Sequence, residues 1–424
     1  MQTSHNSRSA DVAIVGGGAA GLATAIFAAR HDATRGGRPR RIVVIDGAKK
    51  LGAKILISGG GRCNVTNDVV AADDFSGGSR HAIRRVLAAF PAERTVEFFR
   101  EIGVALHVEP EGKMFPDTNR ARTVLDALLN EATQRGVEIL TGHRVTEVVH
   151  HAERELPFQL TTSHGVVAAR RVVLATGGLS VPKTGSDGAG YQLAESLGHS
   201  LAPRTPALVP LVLDGDFHVP LSGVSHEVEL SVRVEDAKPH RLRGSLLWTH
   251  FGVSGPVVLD ASRHWHAARQ TNRAVTLSIN MLPDDNSETA DRRLVDLAVS
   301  QPRVAVHNAL AAVVPARVAE SIATRVGIAP QLAIGQLPRD ARRRLVTALV
   351  DWPLSVRDSR GYNYAEVTAG GVPLDEIDPA TMQSRRCPGL YLVGEILDVD
   401  GRIGGFNFQW AWSSAFVAAT GMCF

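Results

Sequence analysis

Cysteine is nearly missing from this chain: three residues in 424, at positions 63, 387 and 423. A set so small and odd argues against a disulfide framework and for a reducing compartment. No CxxC pair and no Cys/His cluster has metal-ligand spacing, so neither a structural zinc nor a paired-thiol relay is expected. Long apolar runs are missing too. No uncharged stretch reaches the roughly 18 residues that span a membrane, and MQTSHNSRSA carries no secretory apolar segment. The sequence therefore reads as cytoplasmic, without membrane or metal. An excess of one charge is also lacking: 46 Lys and Arg face 43 Asp and Glu, a net +3, with the basic side nearly all arginine. That balance permits an anionic partner without demanding one. At roughly 100–200 residues per domain, 424 residues allow two or three domains.

What is present begins at once. DVAIVGGGAAGLATAIFAAR holds a short apolar strand at 12–15, then Gly16-x-Gly18-x-x-Gly21, then an Ala-rich helix to about residue 30. The first glycine makes the tight turn, the second lets backbone approach a pyrophosphate, and the third lets helix pack on strand. The helix N-terminus, with Ala19 and Ala20, offers free N–H groups to phosphate. A second strand at 41–45 ends in Asp46, 25 residues after Gly21, where a carboxylate accepts from ribose hydroxyls. An acid there repels a 2′-phosphate, which favours FAD or NAD over NADP. A lone GxGxxG is weak, and S-adenosylmethionine is the rival ligand; the strand before it, the helix after it and the acid favour a dinucleotide. Between helix and strand, HDATRGGRPRR reads as an exposed basic loop.

The glycine chemistry then recurs at the far end of the chain. Residues 54–67 read KILISGGGRCNVTN, with three glycines in a row before Arg62, Cys63 and Asn64. Helical patterns follow at 84–90, 93–104 and 121–136, then a strand at 137–140 and a β-meander over 145–174 that ends in VVLATGG. The proline-rich stretch APRTPALVPLVL marks a crossing between domains. Residues 224–283 read as short strands and 288–351 as helices. NYAEVTAGGV comes next, then LYLVGEILDVDGRIGGFNFQWAWSSAFVAATG: a strand at 390–393, Gly394-Glu395, an acidic loop with Asp398 and Asp400, Gly404-Gly405, and a final helix. One cofactor domain made from both ends (1–204 and 360–424) is expected, carrying a β-rich insert (205–285) and a helical insert (286–359).

KILISGGGRCNVTN, GKMFP, ATGG, NYAEVTAGGV and GEILDVDGRIGGFNFQWA together resemble the bacterial YhiN-type family of NAD(P)/FAD-dependent oxidoreductases, over essentially the whole chain. The resemblance implies an α/β fold: an FAD-binding Rossmann-like domain of the two-dinucleotide-binding-domain flavoprotein type, with an inserted β-barrel and helical subdomain. Three positions depart from that pattern. Asp46 stands where Glu is usual, Arg402-Ile403 where a small residue often precedes the Gly-Gly pair, and Ala415 where glycine is common. Arg402 would put a charge near the flavin edge.

Fingerprint and resemblance together assign the cofactor contacts to Gly16, Gly18, Ala19, Ala20, Gly21, Asp46, Gly47, Lys54, Gly60, Gly61, Arg62, Cys63, Asn64, Val145, Ala175, Thr176, Gly177, Gly178, Gly394, Glu395, Asp400, Gly404, Gly405, Phe406 and Asn407. In this reading the 54–67 loop covers FAD, and Arg62 balances phosphate or the N1–C2 oxygen of reduced flavin. Cys63 is either a proton donor or redox partner, its thiolate favoured by Arg62, or a small buried hydrophobe. His250, in LLWTHFGVSGP, is the acid candidate of the insert beside its structural alternative. Trp410 and Trp412 read as core packing. A second fingerprint is missing: in TGSDGAGY the glycines fall at 185, 188 and 190, the wrong spacing. NADH or NADPH would then visit the flavin transiently. The resemblance implies two acceptors, a uracil base of ribosomal RNA or a small unsaturated metabolite such as an enone. A flavin-binding sensor without turnover is the non-enzymatic alternative. RDARRRLV and RGGRPRR would suit RNA phosphates, and equally suit a solvated surface.

Overall fold

The computed structural model describes residues 8–35 and 39–422. Of the basic stretch RGGRPRR, Gly36, Gly37 and Arg38 lie outside the described residues, as does Cys423. The chain divides into two units, Met1–Pro206 with Glu366–Phe424, and Ala207–Ala365.

The first unit is built on a nine-stranded sheet. At its centre Arg8–Val15 lies parallel to Ile42–Ile45 on one side and to Gly165–Leu174 on the other. Leu390–Leu392 pairs parallel with Gly165–Leu174, so a strand from the C-terminal end of the chain completes the sheet begun by the first. The run Ile42–Ile45 is buried throughout, as a strand covered on both faces must be. Phe158–Thr162 and Val145–His150 fold back antiparallel, giving the expected meander. The helices Ala19–Arg35 and Phe406–Gly421 pack on each other. Phe27, Phe90, Phe98 and Phe416 interlock around that contact, with ring centroids 4.9–6.5 Å apart. Trp410 and Trp412 are buried in the same core, donating to the Gly394 and Val65 carbonyl oxygens at 3.2 and 2.9 Å.

The second unit has an antiparallel seven-stranded sheet. One run of chain serves both its edges. Trp352–Leu354 pairs with Val275–Asn280, while Val356–Ser359 pairs with Leu211–Leu213. That stitch draws the sheet toward closure, as a barrel requires. The helices Ser287–Ser300, Val306–Leu310, Ala316–Arg325 and Arg339–Val350 share one hydrophobic core with the strands.

Two local expectations are corrected. The residues read as a loop from His31 begin as helix, since Ala19–Arg35 is continuous. Within the stretch read as short strands lies a fifteen-residue helix, Pro256–Gln270. Its proline takes the first helical turn, where a missing N–H costs nothing. Val257, Val258, Ala261, Trp265 and Ala268 then form one buried stripe of helical period.

Candidate cofactor site

The turn after the first strand is set by close contacts. A methyl carbon at Gly16 would fall 2.4 Å from the Ala175 carbonyl oxygen, and one at Gly21 only 1.9 Å from that of Gly16. At Gly18 it would meet nothing within 4 Å. Two of the three glycines are therefore explained by the protein itself, and the middle one faces open space. The helix that follows has no acid in its first turn. Asp46 closes the turn: its carboxylate accepts from the Gly17 and Ala48 amides at 2.6 and 2.7 Å. A carboxylate offers about four acceptor positions, so capacity remains for hydroxyls. Gly47 packs against Arg144, and Ala175 ties back to the first strand through its amide and the Val15 carbonyl oxygen.

The 54–67 segment is partly helical, not wholly a loop. Ala53–Gly61 starts as helix and breaks at Ser58, after which Gly59 and Gly60 take left-handed backbone (φ +54° and +68°). A side chain at Gly60 would meet nothing within 4 Å. The segment lies against the C-terminal Gly-Gly turn. Gly405 has φ +95°, and a methyl carbon there would sit 2.4 Å from the Thr66 carbonyl oxygen and 2.9 Å from Asn64 Oδ1. Asn67 Nδ2 donates to the Gly404 carbonyl oxygen at 3.1 Å, and Thr66 Oγ1 to Gln409 Oε1 at 2.6 Å. Asn64 Oδ1 accepts from the Met114 amide at 3.2 Å, so both asparagines work as clamps. Asn407 holds the Gly401 N–H and C=O, each at 2.8 Å, while Phe406 and Asp400 are buried beside it. The last helix starts at Gly405 with no side-chain cap and no acid in its first turn.

Cys63, Arg62 and Arg402 differ from expectation. Cys63 has no exposed surface, and burial pushes its thiol up to about 12, against a smaller opposing effect of a hydrogen bond with Ser58. The thiolate reading is thereby overturned. Arg62 does not offset that burial: its guanidinium grips Glu109 at 2.6 and 3.2 Å and lies 3.9 Å over the Phe115 ring. That hydrogen bond holds the Glu109 carboxyl below its usual range. Arg402 is likewise answered, by Asp74 at 2.7 Å, and it covers the Phe406 ring.

Lys54 and Glu395 come together as an ion pair. Around it sits a polar node that no single motif announced. Ser180 Oγ lies 2.5 Å from Lys54 Nζ and 2.8 Å from Glu395 Oε1, and the Thr368 amide donates to Glu395 at 2.9 Å. Thr368 Oγ1 in turn accepts from the Leu179 and Ser180 amides. A methyl carbon at Gly178 would fall 2.5 Å from that hydroxyl. Ser180 and Thr368 were missed as site residues. The signal was their place directly after ATGG and inside NYAEVTAGGV, two motifs noted only for their glycines. Beside Gly177, Thr176 Oγ1 is buried without a hydrogen-bond partner. Val145 opens its strand as a buried residue. His250 belongs to the other unit, exposed and edge-on to the Phe251 ring.

One constellation looks catalytic and is structural. His199 Nδ1 lies 2.7 Å from Glu376 and Nε2 lies 2.8 Å from Ser384 Oγ. All three are buried, and the serine oxygen already accepts from the Arg386 and Cys387 amides. No acyl group reaches it. The relay pins the short strands Ile377–Asp378 and Gln383–Ser384.

The residues fit a flavin dinucleotide. The open Gly18 and Gly60, two helix N-termini without acids in their first turns, and the partnerless Thr176 hydroxyl are a cradle with polar capacity left over. Among the described residues, no helix is long and apolar enough to cross a membrane.

Comparison with known proteins gives a coherent result. A family described as HI0933-like protein Rossmann domain matches residues 10–421. The ribosomal RNA dihydrouridine synthase of Escherichia coli (strain K12) is 36% identical over 417 residues, 96% of this chain and 97% of that one. The 3-dehydro-bile acid delta(4,6)-reductase of Clostridium scindens is 31% identical over 407 residues, 96% of this chain and 97% of its own. Among solved structures, the 3-ketosteroid delta1-dehydrogenase of Sterolibacterium denitrificans shares the fold at a TM-score of 0.50 and 13% identity, covering 98% of this chain and 99% of that one. With the fold, the cradle and near-full-length relatives in agreement, the chain belongs to the HI0933-like family and is an FAD-dependent oxidoreductase.

Proposed function

We propose that this protein is reduced by NADH or NADPH and passes hydride from the flavin to a carbon–carbon double bond of a uracil base in ribosomal RNA, making dihydrouridine. The observation that carries the reading is the 36% identity, end to end, with a relative of that activity; a second relative of the same name, from Haemophilus influenzae, is 33% identical over 409 residues. Flavin supplies the two-electron chemistry when bound; the chain supplies placement and electrostatics. Gly18 and the start of the Ala19–Arg35 helix would take the pyrophosphate, with Asp46 on the ribose. The start of the Phe406–Gly421 helix would place its positive end under developing negative charge on the ring. Lys54, held in place by Glu395, would act as a hydrogen-bond donor. The Gly59–Asn64 turn, pinned to Gly405 through Thr66 and Asn64, would lie over the cofactor. An RNA substrate would have to present a flipped or unpaired base to reach such a site.

Nucleoside mass spectrometry on large-subunit ribosomal RNA, with and without this protein, tests the reading. Dihydrouridine should vanish on deletion and return on complementation; unchanged dihydrouridine would reject it. A small enone is the second acceptor to try, favoured by the 31% identity with the bile-acid reductase. Salt separates the two, because capture through many phosphates weakens steeply between low and physiological salt and enone reduction does not. A non-catalytic sensor predicts bound flavin that NAD(P)H does not bleach.

A further inference from the structure

Saturating a carbon–carbon double bond takes a proton as well as a hydride, and a side chain placed to give it would speed the reaction. Cys63 cannot be that donor, because no part of it is exposed. Glu366 has the properties Cys63 lacks. It precedes the strand Val367–Ala369 by one residue, and strand alternation sends its side chain to the same face as Thr368. That face meets the polar node: the Glu366 carbonyl oxygen accepts from Ser180 Oγ at 3.1 Å, and Thr368 binds Glu395 and the turn after ATGG. Glu366 is an exposed residue, yet among the described residues its carboxyl has neither a hydrogen bond nor an ion pair. The cations that act on it are committed elsewhere, Lys54 to Glu395 and Lys113 to Glu111. Surrounding protein raises its pKa, with Lys54 and Lys113 opposing. A partnerless acid that solvent reaches, set in a wall dense enough to favour its neutral form, is built to hold and give up a proton.

We propose that the Glu366 carboxyl is the acid that protonates the substrate carbon adjacent to the one receiving the hydride. This rests on the reductase reading above and holds for either acceptor. In a uracil ring the hydride brings two electrons to C6, and the C5=C6 π pair moves onto C5 and its neighbouring carbonyl. The Glu366 O–H proton then forms the new C5–H bond, leaving a carboxylate. Lys54 and Lys113 stabilise that carboxylate by charge, and solvent returns the proton. One hydride, drawn from NAD(P)H, and one proton are added in all.

The test compares Glu366→Gln and Glu366→Asp with wild type, as purified flavin-loaded proteins. Flavin content and anaerobic bleaching by NADPH should be unchanged in both. Reoxidation by the acceptor should fall about 100-fold or more in Glu366→Gln and recover partly in Glu366→Asp. The wild-type-minus-Glu366→Gln infrared difference at neutral pH should show a carboxylic-acid C=O stretch. Wild-type reoxidation by Glu366→Gln, or no such infrared band, overturns the assignment. A wild type that bleaches with NADPH but reduces neither uracil nor enone instead overturns the reductase reading, while the infrared band still decides whether Glu366 holds a proton.

Discussion

The two units of this chain are specified in different ways. In the first, particular positions admit one residue: a methyl group at Gly16, Gly21 or Gly405 collides with backbone oxygen. In the second, a closing antiparallel sheet and several helices share one apolar core, and many sequences could supply that pattern. The second unit also holds half-buried histidines. His226, His264 and His266 are each pushed down, to about 4, 3 and 4, chiefly because burial disfavours the charged ring. Fixed positions are frequent in the first unit, and the second has its own at the Gly252 turn, where a methyl carbon would fall 2.3 Å from the Leu211 carbonyl oxygen.

The largest effect should come from breaking a glycine in the first unit, and two glycines divide the consequences. Gly405→Ala forces a left-handed residue into the Thr66 carbonyl. It should cost about 2–4 kcal/mol and abolish flavin retention. Gly18→Ala meets no protein atom, so the apo-protein should keep its melting temperature while flavin affinity falls at least about tenfold, if phosphate approaches there. Melting temperature and the flavin-to-protein absorbance ratio read both. Full flavin in Gly18→Ala would remove the pyrophosphate from that turn.

Next in size is acid. The three half-buried histidines have folded pKa values below the unfolded value of about 6.5, so the unfolded chain binds more protons as pH falls. Their stabilisation is whole above about pH 6.5 and is lost progressively toward pH 4. His226 shows the mechanism: its Nε2 accepts from the Trp248 indole at 3.1 Å, and a proton there ends that bond. The second unit's melting transition should fall by roughly 5–10 °C between pH 7 and pH 5, more than the first unit's. Hydrogen exchange resolved by unit measures it, and equal acid sensitivity in both units would contradict the contrast.

Much of the first unit could be read in the sequence because glycine spacing has few physical causes. The strand–turn–helix at Gly16–Gly21 and the Gly404–Gly405 turn are such cases. The Pro256–Gln270 helix was missed because its flanks, HFGVSGP and AVTLSINML, read as strands and glycines, and a buried stripe over fifteen residues competes with strand period. Partnerships were less legible still. Arg62 beside Cys63 suggests a lowered thiol pKa until Glu109, 47 residues away, is seen to hold the guanidinium. Cys63→Ser tests that correction. The fully buried Cys63 should resist thiol reagents in the native protein, and the serine variant should keep flavin and near-normal turnover at a cost of about 1–2 kcal/mol. Rapid native labelling would restore a reactive role.

The smallest effect concerns arginines, where the units differ again. In the first, the two arginines that end RGGRPRR are answered internally: Arg40 pairs with Asp32 at 2.7 Å and Arg41 with Glu138 at 2.9 Å. In the second, the helix Arg339–Val350 pairs Arg342 with Asp291 but leaves Arg339 and Arg343 exposed, and among the described residues neither has a carboxylate partner. They stand four positions apart, on one face of the helix. If the substrate is RNA, removing one phosphate-binding cation should lower the slope of log affinity against log salt by about 0.7–0.9, with little change in flavin content or in turnover of a free enone. Arg339→Ala with Arg343→Ala should therefore flatten the salt dependence of RNA binding by less than about two units of slope. Filter binding from about 50 to 200 mM salt measures it. An unchanged slope would make these arginines ordinary solvated charge, and would move the search for the RNA-binding face to other residues.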